Sequence, residues 1–194
     1  MAVELRKGQK ISLEKKSSAG EILINLNWNR KTKGFLFKKS KPIDLDLSCL
    51  YELKNGRKGC VQAIGRKFGS LTDIPYISLD GDDRSGDSEK GETLRINGLK
   101  ISEIKRVLVY TMIYDGIVNW KEADGIVTVK CPDGENIIVR LDDYSTNNTI
   151  CAIALFENNG SDLLSVEKIV KFFENSKSMD DAFHWGLVWT HGKK

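Results

Sequence analysis

EILINLNW, residues 21–28, sets Ile22, Ile24, Leu26 and Trp28 on one side of an extended chain and Glu21, Asn25 and Asn27 on the other. A strand with one face on a core and one toward water has this period of two. Two further stretches, IKRVLVYTMIY (104–114) and TICAIALFE (149–157), are apolar on both sides and rich in β-branched and aromatic residues. They read as strands covered on both faces. GIVTVK and NIIVRL flank CPDGE, where Pro132, Asp133 and Gly134 stand at hairpin spacing. Shorter candidates lie at 10–13, 43–53, 59–64, 75–79 and 92–97. The period changes only near the end. In SVEKIVKFFENS, Val166, Ile169, Val170 and Phe173 recur at three and four, Ser165 can cap the first turn, and Glu167 stands four before Lys171. This spacing predicts an amphipathic helix, and SMDDAFHWG predicts a second short turn from Ser178 to Gly186. The expected fold is mainly β: one domain over 1–194, a β-sandwich of about nine or ten strands with one or two short helices at about 165–185.

The 194 residues are 40% apolar and 29% charged, with only three prolines, an ordinary composition for a folded globular chain. The opening MAVELRKGQKISLEKK has no apolar h-region, and no apolar run approaches the roughly 18 residues that span a bilayer, so a cytoplasmic location is expected. Cys49, Cys60, Cys131 and Cys151 form no C-x-x-C pair and lie in or beside apolar runs, as buried reduced thiols do. With only His184 and His191 besides, a zinc site is disfavoured. Charge is polarised: residues 1–42 hold eleven Lys and Arg against three Glu, and 73–103 hold eight acids against four bases. The basic end carries no recognised nucleic-acid motif, so a Lys-studded strand edge is the better reading than a nucleic-acid surface.

SLDGDDRSGDSEKGETL, residues 78–94, packs six carboxylates into one segment. Crowded carboxylates repel unless solvent or a cation screens them. Gly81, Gly86 and Gly91 permit the tight or left-handed backbone that turns oxygens toward one centre, and IPYISL anchors one side of the segment as a strand. Asp44 and Asp46 of IDLDLS point to one face of another strand, which a sheet could bring alongside. Oxygen ligands without Cys or His select calcium over magnesium at a flexible site. An EF-hand is excluded, because a loop starting at Asp80 puts Arg84 at the fifth position, Ser85 where glycine belongs and Gly91 where the closing Glu belongs.

An enzyme reading rests on Asp80-Gly81-Asp82, the D-x-D pattern of metal-dependent nucleotide-sugar transferases. Such enzymes need alternating strands and helices, and no phosphate-cradling glycine run or G-x-S-x-G elbow occurs here. No convincing catalytic constellation or small-molecule substrate is evident. His184 reads as packing or capping a helix end, and Trp28, Trp120, Trp185 and Trp189 as core or sheet-edge packing rather than a stacking patch.

IDLDLSCLYEL followed by SLDGDDRSGDSEKGETLRINGLKISEIKRVLVYTMIYDG resembles the TerD-domain family of tellurium-resistance and bacterial stress-response proteins, marked by a D-L-D-x-S strand and a later G-D-[ND]-R-[ST]-G loop. LRKGQKISLEK resembles that family's opening, and SVEKIVKFFENSKSMDDAFHWGLVW is similar to its TerA-type branch. The resemblance implies a non-catalytic β-sandwich binding one or two Ca2+ ions. It also implies assemblies with other Ter-type or stress-response proteins at the inner face of the membrane. By motif it assigns the metal to Asp44, Asp46, Gly81, Asp82, Asp83, Arg84 (through its carbonyl) and Glu92, with Asp87 a further candidate. One departure stands out. Where the family carries two acids before the next strand, this chain has Lys90 and Gly91, which should weaken binding unless Glu89 compensates.

Overall fold

The computed structural model describes residues 2–4, 6–14, 20–28, 43–81, 91–116, 118, 120–132, 136–141, 146–158, 160 and 163–190. Thirteen strands form among them: β1 (Ala2–Glu4), β2 (Lys10–Glu14), β3 (Glu21–Asn27), β4 (Asp44–Leu53), β5 (Lys58–Val61), β6 (Gly69–Ser70), β7 (Ile77–Leu79), β8 (Glu92–Asn97), β9 (Ile104–Asp115), β10 (Ile126–Lys130), β11 (Asn136–Arg140), β12 (Ile150–Asn158) and β13 (Leu163–Phe173). The short helices are α1 (Trp120–Ala123) and α2 (Ser176–Ala182), with two 3-10 turns. A seven-stranded sheet runs β1-β11-β10-β3-β8-β7-β6, and a six-stranded sheet runs β2-β13-β12-β9-β4-β5. Every pairing is antiparallel except β1 with β11. The sandwich is the expected fold. The strand number exceeds the nine or ten expected because β1 and β6 are only two or three residues long, too short to carry a period, and because β13 stands where a helix was expected.

Alternation explains the layers. Ile24 and Leu26 of β3, Leu94 and Ile96 of β8, and Val127 and Val129 of β10 meet Leu45, Leu47 and Cys49 of β4 and Val107 and Val109 of β9 in one core. The other face of the six-stranded sheet is also apolar. Leu50, Leu108, Tyr110, Ile150, Ala152 and Phe173 lie there under Met179 of α2 and Trp185. Residues 104–114 and 149–157 are apolar on both sides for this reason. The strands on either side of CPDGE, β10 and β11, pair antiparallel as expected, and residues 133–135 of the turn lie outside the described residues.

The helix expected from residue 165 is a strand. Val166 and Val170 face the inter-sheet core, whereas Ile169 and Phe173 face the layer under α2. A doubly buried strand has therefore imitated the three-and-four spacing of a helix, and pairing with β12 and β2 secures the extended form. In this C-terminal stretch helix appears, among the described residues, only at α2, two residues before the turn expected at Ser178. Asn175 is its cap: its side chain accepts from Ser178 N at 2.9 Å, and Ser178 Oγ accepts from Asn175 N at 3.3 Å.

Two buried carboxylates fasten the end of the chain. Asp180, 1% exposed, accepts from Gly186 N (2.7 Å), Leu187 N (3.0 Å) and Trp189 Nε1 (3.1 Å). Glu52, 5% exposed, accepts from Lys105 Nζ (2.7 Å) and Arg106 Nε (2.6 Å). Arg106 in turn stacks on Trp185 at 3.8 Å and donates to the Phe183 and His184 carbonyls. Asp180→Asn keeps one acceptor oxygen but loses the charge and the bidentate grip. It is expected to cost about 1–2 kcal/mol in urea melts and to red-shift tryptophan emission as Trp189 is released; an unshifted spectrum with full stability would refute the anchor.

Candidate metal centre

The residues from 82 to 90, including the candidates Asp82, Asp83, Arg84 and Asp87 as well as Gly86, Glu89 and Lys90, lie outside the described residues. Asp44, Asp46, Gly81 and Glu92 are within them. Gly81 leaves the end of β7 at φ +124° and Gly91 returns to β8 at φ +62°, the backbone that glycine was expected to provide. Gly91 has a further constraint. A Cβ there would sit 2.0 Å from the Leu26 carbonyl oxygen, so no side chain fits at the position where the resemblance led to the expectation of an acid.

Glu92 begins β8 on its core side, in phase with Leu94 and Ile96, and is only 3% exposed. Its Oε2 accepts from Leu47 N at 2.6 Å, a short charge-assisted bond between the two sheets. Among the described residues, β5 pairs only with Cys49–Glu52, and no strand neighbours the edge of β4 where Leu47 presents its N–H. The end of the acidic segment is thus fixed to the D-L-D-x-S strand. Asp46 is 1% exposed and Asp44 half-buried. Because Leu45 and Leu47 point into the inter-sheet core, alternation turns Asp46 and Ser48 toward the opposite face, beside Tyr110. Burial raises the Tyr110 phenol well above its usual range, with nearby thiols and Asp46 adding to the effect, and its hydroxyl donates to Gln62 Oε1 at 3.0 Å.

The structure therefore brings Glu92 to the β4 backbone and leaves Asp44 and Asp46 on the other side of that strand. Among the described residues, no three His, Cys, Asp or Glu gather around one point. Sequence reasoning missed Leu47 N–H as the partner of Glu92, because a backbone donor carries no residue signal. It also missed buried Ser48, although its position two after Asp46 places it on the same face.

Asp80 is committed elsewhere. Arg95 Nε lies 2.7 and 2.6 Å from its two oxygens, and Arg95 Nη1 donates to Glu21 Oε2 at 2.9 Å. Those two carboxylates, Glu21 first, raise the Arg95 guanidinium further above its usual range. Asp80 is so held, Asp82 lies outside the described residues, and the fold is an antiparallel sandwich rather than the alternating strands and helices that the D-x-D transferase reading needs. The tryptophans pack as expected: Trp28, Trp120 and Trp185 are buried, and their ring N–H groups donate to the carbonyls of Ile43, Asn148 and Tyr51. Cys49, Cys131 and Cys151 are buried thiols and Cys60 is half-buried, and burial pushes the pKa of the Cys49 and Cys151 thiols far up, so they stay protonated.

Residues 1–161 match the TerD domain. The chain belongs to the TerD-domain family. It is 44% identical over 190 residues to a tellurium resistance protein TerA from an Alcaligenes species, an alignment covering 95% of this chain. The chain spans 56% of that longer protein. Among solved structures, a homologue of telluride resistance protein TerD from Streptomyces coelicolor A3(2) superposes with a TM-score of 0.61 at 19% identity, covering 82% of this chain and 94% of the other. A second protein, of unknown function, gives 0.60 at 14% identity over 82% and 93%. Both share the fold of this TerD-domain chain. None of its described helices is long and apolar enough to cross a membrane.

Proposed function

We propose that this TerD-domain chain is a non-catalytic calcium-binding module for assembly with other stress-response proteins. The observation that carries the reading is the 2.6 Å bond from Leu47 N to the buried Glu92 carboxylate, which ties the acidic segment to the strand bearing Asp44 and Asp46. The donor set fits a hard cation. These side chains offer carboxylate oxygen, and the neighbouring Cys49 is held as a protonated thiol, a poor ligand. Buried carboxylates require hydrogen bonds or positive charge, and a divalent cation meets that need while drawing separate segments together. Asp44 and Asp46 would supply part of the coordination, and Asp82, Asp83, Asp87 and the Arg84 carbonyl the remainder, while Glu92, on the other face of β4, would tether the end of the segment through Leu47 N. A bound ion would supply charge neutralisation only, and the chain's own work is to order the 80–92 segment for a partner. The Lys90-Gly91 departure makes one ion the expected stoichiometry.

The test is calorimetric titration of chelator-stripped protein with calcium, followed by thermal melts. Calcium at about a hundredfold excess over its dissociation constant stabilises by roughly 2.7 kcal/mol, or about 5–10 °C for a chain of this length. Asp46→Asn should remove that shift. Glu92→Gln retains an acceptor for Leu47 N, so it should leave the melt without calcium nearly unchanged while reducing the calcium response. No heat and no shift in the parent protein would sink the reading.

A further inference from the structure

The sequence from Lys54 to Thr72 contains Lys54, Arg57, Lys58, Arg66 and Lys67 and no acid. It folds around β5, the last strand of the six-stranded sheet. Lys54 and Arg57 stand exposed at the β4–β5 turn, and Arg66 and Lys67 in the turn that follows β5. The side chains of Lys54, Arg57, Arg66 and Lys67 make no ion pair among the described residues. Lys58 donates to the Trp185 carbonyl at 2.9 Å and approaches Glu52 only to 3.9 Å. Four cations that no described carboxylate pairs repel one another at this sheet edge and attract an anionic partner.

The edge also has backbone groups to offer. Leu53 N donates to the Arg57 carbonyl at 2.8 Å at the start of the β4–β5 ladder. Alternation from that pair turns the N–H and C=O groups of Lys58 and Cys60 away from β4. Two adjoining cavities, about 370 and 220 Å³, meet along this edge and share Lys58, Gly59, Cys60 and Lys67. Tyr51 and Pro75 contribute to the wall of one, and Leu187 and Trp189 to that of the other. The Tyr51 ring lies over Gly59, since a Cβ there would be 2.5 Å from the Tyr51 hydroxyl oxygen and would displace the ring.

We propose that β5 is a docking strand for an extended acidic segment of a partner protein. The partner backbone pairs with Lys58 and Cys60, its carboxylates meet Lys67, Lys58 and the flanking arginines, and its alternate apolar side chains enter the two cavities. Edge-strand addition takes affinity from main-chain bonds and selectivity from side-chain pockets. A nucleic acid would use the cations but neither the outward amides nor the apolar walls, so the peptide is the better fit. This site is separate from the calcium reading and does not depend on it.

The probe is a fluorescein-labelled, end-capped octapeptide of alternating Glu and Val, titrated with the full chain by anisotropy, once in chelator and once in calcium. Saturable binding is expected in both buffers. Charge reversal with Arg66→Glu and Lys67→Glu, both exposed and so compatible with folding, should weaken it at least about tenfold. A peptide with proline at its two central positions should bind weakly, because it lacks the paired amides. Peptide binding that ignores the charge reversal, or equal binding of the proline peptide, would overturn the proposal. So would a dimer in sedimentation that the reversal abolishes, since the edge would then belong to a second copy. Loss of binding in chelator alone would overturn the claim of independence from calcium.

Discussion

Gly91→Asp, which would seem to restore an absent acid, is expected instead to destabilise the protein by roughly 4 kcal/mol. Position 91 holds φ +62°, and any Cβ there would lie 2.0 Å from the Leu26 carbonyl oxygen. Relief requires β3 and β8 to part just where Leu26 pairs with Glu92. At about 2–4 °C per kcal/mol for a chain of this length, the melting temperature should fall by roughly 8–16 °C. Gly91→Ala should reproduce most of the loss, because the clash begins at Cβ. The comparison is decisive: an aspartate variant that melts like the parent and binds calcium more tightly would show a vacant ligand position, not a packing constraint.

Arg106→Met is the second large effect. The substitution preserves apolar bulk beside Trp185 but leaves Glu52, with a side chain 6% exposed, facing only Lys105 at short range, whose own side chain is 57% exposed. Breaking a buried ion pair from one side costs about 3–5 kcal/mol. The stacking on Trp185 and the bonds to the Phe183 and His184 carbonyls disappear as well, so α2 and the segment after it should loosen together. Acidity supplies an independent reading. Burial favours the neutral Glu52 carboxyl, but hydrogen bonds from Lys105 and Arg106 outweigh it and hold the group below its ordinary 4.5. A carboxyl depressed in the folded state contributes stability that is present above its unfolded value and is lost as pH falls through the folded one. Urea midpoints of the parent should therefore decline as the pH drops below about 4.5, and Glu52→Gln should flatten that decline. If Arg106→Met unfolds with the parent's midpoint across this range, the clamp contributes nothing.

Much of this architecture was legible from residue order. EILINLNW became β3 with the predicted faces, and the two-sided stretches 104–114 and 149–157 became neighbours in the doubly covered sheet. The same physics misled at 165–173, since apolar residues on both faces of a strand can satisfy a helical spacing, and only the partner strands resolve the ambiguity. At the candidate centre, the D-L-D-x-S strand and Glu92 could be picked out by residue type. Their relative orientation could not, because it depends on which face of β4 meets the core and on a backbone N–H that every residue possesses.

The family match stops at residue 161, yet the next strand is the one that joins β12 to β2 and floors the layer under α2. A chain cut at that limit would lose the pairing partner of both β12 and β2. It would also bare Leu50, Leu108, Tyr110 and Ile150 to water. Such an edge and apolar face recruit like molecules into aggregates or swapped strands. The smallest unit able to remain dispersed therefore reaches at least to Trp185, and slow amide exchange should extend through β13 as far as it does through β9.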